Sequence, residues 1–156
     1  MTSTCSRAPI VPSLGVFDGI RVGPDVAPYW EDTTGRRHTQ DLSMPGTRSA
    51  IATSVHRVWL KPLIDIDPDV TYFRTRNNDL DDRQRALLQD LATVCGFRTT
   101  SDPPSWLEPA ERDRLAAFLS EQRTARRMSR YCFAIDDRVV DFAPVASPAS
   151  GWPTVA

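Results

Sequence analysis

Four arginines, Arg123, Arg126, Arg127 and Arg130, recur at offsets 0, 3, 4 and 7, the spacing that gathers side chains on one face of a helix. A guanidinium stripe binds phosphate, carboxylate or an acidic protein surface through paired, charge-assisted hydrogen bonds. Lys61 is the sole lysine among 19 basic residues, so the choice of arginine says little and the spacing carries the argument. Turning about 100° per residue, Arg126 falls in line with Leu115 and Gln122. A helix that buries Leu115 and Phe118 therefore either stops near Gln122 or projects past the core and offers arginines to a partner. The competing reading is a dipole-complementing helix, with Glu108, Glu111 and Asp113 at its start and Arg126 and Arg127 at its end. Were duplex DNA the ligand, four phosphate contacts would give a log-log salt slope of roughly −3.6.

A second cluster is Asp65-Ile66-Asp67-Pro68-Asp69. On an extended chain alternate side chains point the same way, so Asp65, Asp67 and Asp69 could converge on Mg²⁺ or Ca²⁺ and support phosphodiester hydrolysis. The segment is not an EF-hand loop, because Val70 and Arg76 stand where Gly and Glu are needed. Asp beside Pro is also ordinary turn chemistry. A third constellation places Tyr29 and Trp30 across a hairpin from Arg36, Arg37 and His38. Aromatic faces beside guanidinium groups bind single-stranded nucleic acid or acidic peptides; a core tryptophan under an arginine lid has the same composition.

Familiar catalytic frames are missing. His38 and His56 have no cysteine or carboxylate at metal-ligand spacing, and no C-x-x-C, H-x-x-x-H or H-E-x-x-H occurs. No G-x-S-x-G frames a serine, and Gly15, Gly19 and Gly23 match neither the dinucleotide fingerprint nor the P-loop.

The elements that must position these groups fit a chain of 156 residues, 40% hydrophobic and 25% charged, enough for one ordinary domain. A net charge of −1 gives no global pull toward nucleic acid or membrane. Cys5, Cys95 and Cys132 are odd in number and far apart. With no signal-like start and no run of about 18 apolar residues, they imply free thiols, a cytoplasmic setting and a bacterial or phage source. Cys95 reads as a buried, inert thiol.

Asp18-Gly19 between Val16-Phe17 and Ile20-Arg21-Val22 predicts a hairpin, and Asp32-Thr33-Thr34-Gly35 a second one. Residues 49–60 read as a long central strand, with Ile51, Thr53, Val55, Arg57 and Trp59 on one face, and residues 70–74 as another. A helix is predicted from about Leu80 to Cys95, capped by Asp79 and stopped by Gly96. A second helix starts at Pro109. Tyr131 to Phe142 predicts a closing hairpin turned at Asp136-Asp137.

These elements imply an α+β fold: a mainly antiparallel sheet with two amphipathic helices on one face, residues 14–142, between an N-terminal arm (1–13) and a C-terminal tail (143–156). The functional expectation is a small non-catalytic binding or assembly protein. Its contacts with an acidic protein partner would come from Arg123, Arg126, Arg127, Arg130, Trp30, Arg36 and Arg37, with no cofactor and no membrane contact. The alternatives are a Mg²⁺-dependent phosphodiester hydrolase built on the three aspartates, and a nucleic-acid-binding accessory factor.

Overall fold

The computed structural model describes residues 2–3, 14–31 and 46–147. Arg36, Arg37, the second hairpin's turn and most of both arms lie outside the described residues. The α+β expectation holds at the level of helices mixed with strands that include an antiparallel sheet. The other described sheet is parallel throughout. It comprises β1 (Thr2–Ser3), β2 (Gly19–Arg21) and β3 (Asp65–Asp67), in that order. Between β2 and β3 runs α1 (Thr47–Arg57), completing a βαβ unit, and a single 3₁₀ turn, Val58–Leu60, leads from it toward β3.

Three sequence expectations fail here. Gly19 is not a hairpin turn residue but the first residue of β2, pairing with Asp65 across the parallel ladder. Residues 49–60 are mainly helix rather than strand. Their β-branched content favours a strand, yet the buried set Ala50, Ile51, Ser54, Val55 and Val58 falls at helical offsets 0, 1, 4, 5 and 8. The start signal was also absent, since Gly46 occupies the N-cap with φ 113° and supplies no side-chain cap. Residues 70–74 join no named strand, and of these residues Thr71 alone forms a bridge, parallel to Thr100.

The later elements follow the sequence more closely. Helix α2 (Asp82–Cys95) is capped by Asp81 and not by the expected Asp79, because Asp81 stands three residues before Gln84: its side chain accepts from Gln84 N at 2.7 Å while Gln84 reaches back to Asp81 N at 3.0 Å. It ends on Gly96 in the left-handed conformation, φ 78°. Helix α3 (Pro109–Ser120) begins at the expected proline. The closing hairpin is present as β5 (Cys132–Ile135) and β6 (Arg138–Asp141), turned at Asp136 with φ 52°. Strand β4 (Ala125–Arg127) pairs antiparallel with β5, and α4 (Ala143–Ala146) packs back against α1.

One apolar cluster joins both sheets. Ile20 and Ile66 from the parallel sheet meet Ile51 of α1, Leu91 of α2, and Phe133 and Phe142 around the antiparallel sheet. Phe133 and Phe142 meet edge to face at 5.9 Å. This shared core holds the βαβ unit rigid, so the loops leaving β2 and β3 stand on a fixed platform.

Candidate functional site at the carboxyl end of the parallel strands

The exits of β2 and β3 lie side by side because the strands run parallel in register, Arg21 opposite Asp67, and Val22 N donates to Asp67 O at 2.9 Å. Ligand sites on parallel sheets form outside the carboxyl ends of the strands. At that edge Arg21 reaches three carboxyl groups. Its Nη1 donates to Asp25 Oδ1 at 2.6 Å and its Nη2 to Asp69 Oδ1 at 2.6 Å, while Nε lies 3.5 Å from Asp67 Oδ2 without a hydrogen bond.

The three acids differ in environment. Asp69 is buried, its second oxygen accepts from Val26 N at 2.7 Å, and its φ is 79°, unusual for a residue with a side chain. Burial pushes the Asp69 carboxyl above the usual carboxylate range, against the pull of the Val26 amide and the Arg21 guanidinium. Asp67 is largely covered, and its Oδ1 accepts from Asp69 N at 2.8 Å. Asp25 is the open member, with 51% of its side chain exposed.

The loop that carries Asp25 is fixed from several sides. Gly23 lies so close to α1 that a Cβ there would meet Ser54 Oγ at 2.6 Å and Ala50 O at 3.2 Å. Arg57, at the end of α1, donates to Val22 O at 2.7 Å. Tyr72 Oη donates to Val26 O at 3.2 Å, and burial pushes the Tyr72 phenol above its ordinary range.

The sequence-predicted groups are distributed differently. Asp67 and Asp69 do meet, but the guanidinium of Arg21 stands where a cation would sit. Asp65 is exposed at the opposite end of β3, and the left-handed turn at Asp69 breaks the alternation that would have aligned the three. Among the described residues no group of three or more His, Cys, Asp or Glu is arranged to hold a metal ion. Trp30 is half-buried against the main core, and its expected neighbours Arg36 and Arg37 lie outside the described residues.

The arginine stripe does not exist as a helical face. Helix α3 ends at Ser120, and Arg98 caps its last carbonyls by donating to Phe118 O at 2.9 Å and to Glu121 O. The chain then turns extended. Arg126 and Arg127 lie in β4, Arg123 pairs with Glu121 at 2.9 Å, and Arg130 stacks over the Tyr131 ring at 5.2 Å. Cys95 is buried, and desolvation pushes its thiol up to about 12, in keeping with an inert core residue.

Sequence reasoning missed Arg21 and Asp25. Their signal was a basic and an acidic residue four apart just after a short apolar strand, masked by reading Asp18-Gly19 as a hairpin.

The chain matches no protein-family model. Among solved structures it resembles TtGalA, the α-galactosidase of Thermus thermophilus, in its complex with p-nitrophenyl α-D-galactopyranoside. The identity is 47% and the TM-score 0.79, over 88% of this chain and 29% of that one. The same enzyme in complex with stachyose is 50% identical with a TM-score of 0.66, over 74% of this chain and 25% of that one. The chain thus spans less than a third of the length of the enzyme it resembles. No helix of the described residues is long and apolar enough to cross a membrane. Identity at this level to a glycoside hydrolase overturns the expectation of a non-catalytic adaptor, and equally those of a phosphodiester hydrolase and a nucleic-acid accessory factor.

Proposed function

We propose that this chain is a carbohydrate-active unit of the α-galactosidase kind, and that the carboxyl end of β2 and β3 forms one wall of its sugar site. The observation that carries this reading is 47% identity across 88% of the chain to an enzyme solved with an α-galactoside.

The geometry supports the same chemistry. Glycoside hydrolysis characteristically uses two carboxyl groups flanking the scissile bond, one of which protonates the departing oxygen. One guanidinium facing three carboxyl groups leaves an excess of acceptor oxygens at this edge, the chemistry that holds sugar hydroxyls. Asp25 is the exposed member, and so the one whose remaining carboxylate oxygen lone pairs can accept a hydrogen bond from a sugar hydroxyl. Arg21 offers a rigid planar donor beside it for a sugar hydroxyl.

The test is a titration of D-galactose into the chain, followed through backbone amide NMR signals. The expected result is saturable shifts concentrated at residues 21–27 and 67–70, with a dissociation constant on the order of 1 mM, equivalent to about 4 kcal/mol. Shifts that are absent, or that spread without preference for these loops, reject the reading.

A further inference from the structure

We propose that Asp69 is a positioning residue that sets the Arg21–Asp25 pair, an inference that rests on reading this edge as the sugar site. Asp69 touches no open surface of its own: it is 7% exposed. Every polar group it has is nonetheless engaged. Oδ1 accepts from Arg21 Nη2 at 2.6 Å, Oδ2 accepts from Val26 N at 2.7 Å, the backbone N donates to Asp67 Oδ1 at 2.8 Å, and the backbone O accepts from Thr99 Oγ1 at 3.0 Å.

Those bonds hold a left-handed backbone, φ 79°, which disfavours a residue with a Cβ. A conformation of that kind persists only where its surroundings over-determine it, and such places cluster at functional sites. The two carboxylate oxygens act on the two ends of one loop. One fixes the guanidinium whose other Nη holds Asp25 at 2.6 Å; the other fixes Val26, the residue after Asp25. Asp25 is thereby held from its side chain and from its backbone by a single buried group on the neighbouring strand exit.

The test compares Asp69→Asn with the unaltered full chain. Asparagine tolerates positive φ and keeps an oxygen for the Val26 amide, but its amide cannot accept from Arg21. Two readouts are taken: the side-chain Nη–H NMR signals of Arg21, and galactose affinity. In the unaltered chain the Arg21 Nη protons should give separate, slowly exchanging signals. In Asp69→Asn they should merge, and galactose affinity should fall about tenfold with cooperative unfolding retained. A purely structural role for Asp69, satisfied by asparagine, would leave both unchanged and overturns the proposal.

If Asp69→Asn does not fold, Asp69→Glu replaces it. That variant keeps the charge on a longer arm and should displace the same Arg21 signals, whereas unchanged signals and affinity again overturn the proposal. Failure of the unaltered chain to bind galactose, with Arg21 responding to Asn as described, rejects the galactoside reading but upholds the positioning role. Galactose binding that is equal in both chains rejects the positioning role and leaves the reading intact.

Discussion

The hydroxyl of Tyr131 lies 3.0 Å from Nε2 of His56, joining residues 75 apart in sequence, with the two rings edge to face at 5.3 Å. His56 Nδ1 lies 2.7 Å from Ala52 O and donates to it, so Nε2 is the acceptor and Tyr131 the donor. The pair ties the end of α1 to the segment entering β5, and so the βαβ unit to the antiparallel sheet.

Because His56 is exposed and Tyr131 only partly buried, the tie is modest. Tyr131→Phe should lower the unfolding free energy by about 0.5–1 kcal/mol and leave the slope of urea unfolding unchanged. A loss well above that range would mean the contact orders more of the sheet than its hydrogen bond.

The close approach at Gly23 predicts a larger effect. Gly23→Ala must push the loop away from Ser54 and Ala50, at a cost of about 1–3 kcal/mol. Thermal unfolding should show the loss, and amide signals of residues 22–27 should move while those of β5 and β6 stay in place. A stable variant with unmoved signals would show that α1 can yield.

Glu111 gives a pH-dependent prediction. Burial acts against its charge, but bonds from Glu108 N, Thr75 Oγ1 and Thr75 N outweigh burial and hold its carboxyl below the usual range. A lowered folded value means the stabilisation is complete above the unfolded value and is lost as pH falls through the folded one. Glu111→Gln should therefore be less stable than the unaltered chain at about pH 7, with the gap closing by about pH 3. Urea midpoints at the two pH values check this, and a gap that does not narrow contradicts the assignment.

A graft tests the sugar contact at Asp25. Replacing the matching segment of the Thermus thermophilus enzyme with this chain should preserve hydrolysis of p-nitrophenyl α-D-galactopyranoside. Adding Asp25→Ala should raise KM for that substrate by about tenfold, the loss of one charge-assisted hydrogen bond, with a smaller change in kcat. An unchanged KM would remove Asp25 from the site.

Local chemistry alone determined a good part of this molecule. Gly96, Pro109 and the Asp136–Asp137 turn act through neighbours a few residues away, so their capping and turn roles stand in the order of the residues, while the N-cap of α2 lies at Asp81, two residues past the expected Asp79. Asp65, Asp67 and Asp69 were visible as a cluster for the same reason. Tertiary structure decided the rest. Whether residues 47–57 coil or extend depended on a core assembled from both sheets, and Thr47, which could have announced a helix start, instead gives its hydroxyl to Ala27 O. Arg98 ended α3 from 20 residues away and dissolved the arginine face. The Arg21–Asp25–Asp69 site exists only because parallel pairing sets Arg21 beside Asp67, 46 residues later in the chain, and spacing along the chain carries no record of that contact.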